Sequence, residues 1–191
     1  MMNNETITKT RIRPLDGPYS PELERDFNTI MPPGMPPLSI FRTVAHNPRI
    51  LSRMVNGGLL DKGSISLADR ELVILRTCAV CKAEYEWGVH VAGFAKKAGF
   101  SEEQIQDTAN VKTNSAIWSA SQQLLIALAD QLHDSNQVDD TLWGKLSEEY
   151  DSAQLVELIM LAGLYHAVSF MVNACRIEGE SFAPKFPEVS I

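Results

Sequence analysis

The chain has 191 residues, 45% hydrophobic and 21% charged, with 17 Lys plus Arg against 24 Asp plus Glu and a net charge of -7. That size fits one domain with an N-terminal arm, and an acidic chain without a basic stripe argues against a nucleic-acid backbone as partner, since such binding depends on clustered Lys and Arg. Three cysteines are too sparse and too odd a count for a secreted disulfide framework, which points to a cytoplasmic enzyme or binding protein.

In chain order, Met1 to Pro14 is polar with no apolar core, unlike a signal peptide. Prolines then divide the chain, so that 1–37 reads as an arm and Pro-rich segment, 38–183 as the domain and 184–191 as a tail. Residues 49–183 contain no proline, which permits long helices over most of the protein. Helices are expected near 22–30, 39–46, 48–56, 66–81, 84–98, 101–109, 115–133, 139–149 and 152–177. Ser66 before Leu67-Ala68-Asp69 is an N-cap with an acidic first turn. Ser101 with Gln104 fits a capping box, Asp151 with Gln154 is a looser version of it, and Gly99 closes a basic last turn. No strand alternation is sustained, so the class is all-α. Leu158 to Cys175 lacks Lys, Arg, Asp and Glu, but it carries His166, Ser169 and Asn173 and has no basic flank, so it reads as a buried helix and not a membrane span. This helix and Leu72 to Cys81 are apolar nearly all round, which calls for burial on several sides and predicts an oligomer.

Functional side chains concentrate between Glu71 and His90. Glu86 and His90, four apart, share a helix face, and Glu71 joins them if the two helices pack as an antiparallel pair. A buried carboxylate beside an imidazole is a general acid/base pair; the plainer reading is a surface pair contributing a few tenths of a kcal/mol. Cys78 and Cys81 form a C-x-x-C late in an apolar helix, where packing is the first reading and a redox pair the second. Cys78 falls nearly on the face of Glu71, seven positions back. His166 interrupts the longest apolar run and requires a partner or a cavity. His133 ends a helix, where the dipole favours a cation; His46 reads as a loop or helix-end residue. A metal held by Glu86 and His90 with His133 or His166 ranks below a metal-free site.

The stretch Arg70-Glu71-Leu72-Val73-Ile74-Leu75-Arg76, followed by Ala83-Glu84-Tyr85-Glu86-Trp87-Gly88-Val89-His90, resembles the conserved block of the carboxymuconolactone decarboxylase and AhpD-like alkylhydroperoxidase superfamily. The resemblance extends through Phe41 to Pro48, Trp118, Asp130 to His133 and Leu164-Tyr165-His166. It implies an AhpD-like all-α bundle assembled as trimers or hexamers. The peroxidase branch places Cys-x-x-Cys between its Glu and His; here those two positions are Ala83 and Glu86. A dithiol peroxidase requires an attacking thiolate and a resolving thiol, and neither residue supplies one.

The resemblance therefore implies a cofactor-independent, decarboxylase-like lyase acting on a small organic acid or lactone. His90 is the expected acid/base, with Glu71 and Glu86 orienting it or relaying protons. Arg76 or Arg42 is expected to bind a substrate carboxylate, and Tyr85, Trp87, Trp118 and His166 to line the pocket. Expected partners are a small-molecule substrate and further copies of the chain, with neither nucleic acid nor membrane. Two alternatives stand beside this reading: a thiol peroxidase using Cys78 and Cys81, and a non-catalytic oligomeric ligand-binding protein.

Overall fold

Caps set the helix boundaries. In the computed structural model, which describes residues 9–188, Ser20 accepts the Leu23 N–H and Pro21 occupies the first helical position, where its missing donor costs nothing; α1 is Pro21–Ile30. The short α2 spans Ser39–Val44, and Asn47 caps α3, Pro48–Asn56. Ser66 caps α4, Leu67–Val80, and α5 follows after a tight turn as Glu84–His90. Full capping boxes at Ser101, Ser119 and Asp151 open α6 (Glu102–Thr108), α7 (Ala120–Ser135) and α9 (Ser152–Cys175), and Asp139 caps α8, Asp140–Glu149. No strand occurs among the described residues, as the absence of alternation predicts.

Two of the expected helices are subdivided. The stretch expected as 84–98 is α-helical only to His90 and continues as a π-helical turn, Val91–Ala95; that expected from 115 begins with a 3₁₀ turn, Ser115–Ile117, before α7. Periodicity alone does not register either change, because a turn with one residue more or less leaves the apolar pattern nearly intact.

α4 is the axis of the fold. Every residue from Glu71 to Ala79 is buried, with α5, α6, α7 and α9 packed around the helix. Its apolar circumference is satisfied within one chain. The other apolar helix, α9, is different: Leu155, Leu158, Leu161, Ala162, Tyr165, Val168 and Val172 are buried, while Ala153, Val156, Met160, Gly163, Ala167, Phe170 and Ala174 form an exposed row. By length and composition this helix could cross a membrane, but its inner face is part of the core.

Arm and tail are bound to the helical body. Arg11 donates its backbone N–H to the Cys175 carbonyl and a guanidinium N–H to that of Ala174. Glu180 accepts from the Ser39 N–H at 2.6 Å and the Tyr85 hydroxyl at 2.7 Å, tying the tail to α2 and α5. The tail crosses α5 directly over Gly88, where a Cβ would stand 2.3 Å from the Pro184 carbonyl oxygen. Phe186 then packs on Trp87 with ring centroids 5.2 Å apart.

Candidate active site

The reversal between α4 and α5 builds the site. Lys82 takes a left-handed φ of 54° and the Ala83 N–H closes onto the Cys78 carbonyl at 2.8 Å, so α5 returns along α4. Its last residue, His90, thereby reaches Glu71 near the start of α4. His90 Nδ1 lies 2.7 Å from Glu71 Oε2; Nε2 lies 3.0 Å from the Tyr165 hydroxyl and 3.4 Å from Glu86 Oε1. Arg70 completes the row with Nε and Nη2 each 3.0 Å from Glu71 Oε1.

Glu71, Glu86, His90 and Tyr165 are all buried. Burial by itself would lower the imidazole, but hydrogen bonds to Glu71 and Glu86 and the charges of both outweigh it, and His90 is raised to about 9. The ring therefore favours its imidazolium form at neutral pH. Burial, then the Glu86 charge, pushes the Tyr165 phenol well above its ordinary value, so its proton stays on. Its hydroxyl accepts from the Nε2–H of a charged His90 and donates to Nε2 once the ring is neutral. Glu86 Oε2 is buried with no hydrogen-bond partner among the described residues, an expensive arrangement for a carboxylate unless a ligand supplies the donor.

His90 and Glu86 open into a cavity of about 420 Å³. Its walls are Met31, Met35, Phe41, Leu60, Phe94 and Phe182, with Lys97 also lining it. The π-helical turn after His90 contributes Ala92, Gly93 and Phe94 to this lining, and π turns recur at functional sites. The expectation of an antiparallel pair joining Glu71 to Glu86 and His90 thus matches the geometry.

The expected substrate-binding residues lie elsewhere. Arg76 is buried, pairs with Asp130 at 2.5 and 3.1 Å and donates to the Thr108 and Asn110 carbonyls, fixing α4 to α7 and to the end of α6. Arg42 binds the Leu15 carbonyl and Asp16 of the arm. The Tyr85 hydroxyl is held by Glu180 and the Ile40 N–H. Trp87 donates to Thr108 Oγ1 at 2.9 Å and Trp118 to Asp107 at 2.6 Å, both in the core. None of these five polar groups faces His90, because buried guanidinium, phenol and indole groups require partners and find them within the scaffold.

His166 also points away from His90. It meets His133, Nε2 to Nδ1 at 3.2 Å, and the metal grouping expected for Glu86 and His90 with either histidine does not form. Tyr165, one residue earlier, is the member of α9 that reaches His90. A signal for it existed: Tyr165 falls four positions after Leu161 and seven after Leu158, on the buried face, whereas His166 lies about 100° around the helix. Arg70 stood at the head of the resembling block without an assigned role, and the arm residues Met31 and Met35 carried no sequence signal.

Cys78 is fully buried; desolvation and then the charge of Glu86 push its thiol well up. Cys81 is half-buried, its thiol also raised by burial, and lies 3.6 Å from His133 Nδ1. Neither sulfur lines the cavity. His46, read as a loop or helix-end residue, follows α2 and binds the Arg13 carbonyl of the arm.

The profile of the Carboxymuconolactone decarboxylase family matches residues 48–130, a segment holding Glu71, Glu86 and His90 but not Tyr165. No curated protein matches the chain significantly. Among solved structures it is similar to an uncharacterized peroxidase-related protein from Silicibacter sp. TM1040, with TM-score 0.74 and 15% identity over 91% of this chain and 95% of that one. It is also similar to the debrominase Bmp8 in its apo form, with TM-score 0.63 and 16% identity over 91% of this chain and 94% of that one. At such identities the likeness carries the fold, an AhpD-like helical bundle.

Proposed function

We propose that this protein, whose residues 48–130 match the profile of the carboxymuconolactone decarboxylase family, is a cofactor-independent, decarboxylase-like lyase acting on a small organic acid or lactone with a largely apolar body. The observation that carries this reading is the unpartnered Glu86 Oε2 beside His90, itself held by Glu71, at the floor of an apolar cavity. Lys97 and the imidazolium attract a substrate carboxylate. Apolar walls favour its departure as neutral carbon dioxide. The C–C bonding pair passes into the conjugated carbonyl or lactone, and the His90 Nε2–H gives its proton to the resulting carbanionic carbon. Glu71 holds the Nδ1–H throughout, and the Tyr165 hydroxyl turns to donate to the neutral Nε2. Glu86 Oε2 accepts from a substrate hydroxyl.

Carbon dioxide release from a panel of small β-oxo acids and γ-lactone carboxylates tests the reading. His90→Gln and Glu86→Gln are each expected to lower kcat by about 10²- to 10⁴-fold. Undiminished turnover in His90→Gln overturns it. Peroxide turnover with a dithiol reductant, lost in Cys78→Ser and Cys81→Ser, establishes the thiol peroxidase instead.

The same reading includes a homo-oligomer, a trimer or hexamer, joined through the exposed row of α9. That row recurs at alternating steps of three and four residues from Ala153 to Ala174, the spacing of a helix–helix seam.

A further inference from the structure

On the far side of α4 from its acidic start, three helices bring together one thiol and two imidazoles that the chemistry at His90 does not use. Cys81 stands at the C-cap of α4, His133 in the last turn of α7 and His166 midway along α9. We propose that Cys81, His133 and His166 form a binding site for a zinc-class divalent cation, with a fourth coordination position left to water or a small ligand.

The donor atoms have the required spacing. With Zn–S near 2.3 Å and Zn–N near 2.0–2.1 Å, a tetrahedral site has S···N edges of about 3.6 Å and N···N edges of about 3.4 Å. Cys81 Sγ lies 3.6 Å from His133 Nδ1, and His133 Nδ1 lies 3.2 Å from His166 Nε2. The remaining edge, Sγ to His166 Nε2, is within 4.8 Å.

The surroundings fix these groups as ligands. His166 Nδ1 donates to the Ala162 carbonyl at 2.8 Å, which sets the tautomer that leaves the Nε2 lone pair facing the other two donors; such a second hydrogen bond is characteristic of metal-bound histidine. Asn173 Nδ2 donates to the Cys81 carbonyl at 2.8 Å and holds that turn. Without an ion, a single proton on His133 Nδ1 must serve both the sulfur and His166 Nε2. A cation replaces that shared proton and binds all three lone pairs at once. Each ligand is half-buried, so an ion can enter. Among the described residues no further His, Cys, Asp or Glu joins the group, which leaves the fourth position open. One thiolate with two imidazoles is a donor set suited to zinc.

Chelator-stripped protein titrated with Co²⁺ provides the test. Expected are a thiolate-to-cobalt charge-transfer band and the visible bands of a tetrahedral ion, saturating at one equivalent and abolished by added Zn²⁺. Cys81→Ser removes the charge-transfer band, His133→Gln and His166→Gln weaken binding at least tenfold, and Cys78→Ser leaves the spectrum intact. Zn²⁺ is expected to raise the Tm of the wild type and not that of Cys81→Ser, whose circular dichroism shows whether it is folded. A spectrum without saturation at one equivalent, or a charge-transfer band that persists in folded Cys81→Ser, overturns the proposal.

Discussion

His90 is held by groups that favour its charged form on both ring nitrogens, and its behaviour with pH follows from that. Glu71 occupies Nδ1, while Glu86 and Tyr165 stand at Nε2. The folded-state value, about 9, lies above the ordinary 6.5. Proton uptake therefore stabilises the fold: the contribution is fully present below the unfolded value and is lost as pH rises through about 9. Melting curves of wild type and His90→Gln between about pH 6 and pH 10 check this. The Tm gap is expected to shrink toward the alkaline end, with catalysis declining on the same limb if the imidazolium is the proton donor, as proposed. A gap independent of pH would show that the two carboxylates do not hold the ring charged.

Among the elements, α5 depends on the absence of a side chain at Gly88. The tail lies so close that a Cβ there would overlap the Pro184 carbonyl oxygen and press on Ala183. Backbone cannot yield as a flexible side chain does, so Gly88→Ala is expected to lift the tail. Phe186 then loses its contact with Trp87, and Phe182 moves in the wall of the cavity. The expected result is a higher KM with a smaller change in kcat, since the bonds of His90 to Glu71 and Tyr165 involve no residue of the tail. Steady-state kinetics together with limited proteolysis of the C-terminal segment measures it; an unchanged KM with a protected tail would contradict it. The glycine was visible in the sequence, but the segment it accommodates lies almost a hundred residues away.

For the whole molecule, α4 and α9 show two outcomes of the same sequence property. Both are apolar nearly all round, and the periodicity alone assigns both to deep burial. α4 is enclosed by its neighbours, whereas α9 leaves Val156, Met160 and Phe170 exposed at 63%, 61% and 66%. A contiguous apolar row of that kind marks an association surface. Met160→Glu with Phe170→Glu is expected to convert the proposed oligomer to a monomer in multi-angle light scattering, while secondary structure by circular dichroism is preserved. A wild-type chain that is itself monomeric at micromolar concentration would remove the basis for the seam.

What could be read along the chain was what neighbouring residues decide: the caps at Ser66, Ser101 and Asp151, the all-α class, and the shared face of Glu86 and His90. Glu71 was legible too, because a tight turn between two adjacent helices allows one principal packing. The expected roles of Arg76, Arg42, Tyr85, Trp87 and Trp118 rested on residue type, and each has its polar group taken by a partner distant in sequence. Tyr165 in place of His166, the arm and tail residues walling the cavity, and the meeting of Cys81 with His133 and His166 were decided by tertiary packing. The physical reason is that a side chain's direction follows from its own helix, whereas its partner depends on which helices enclose it.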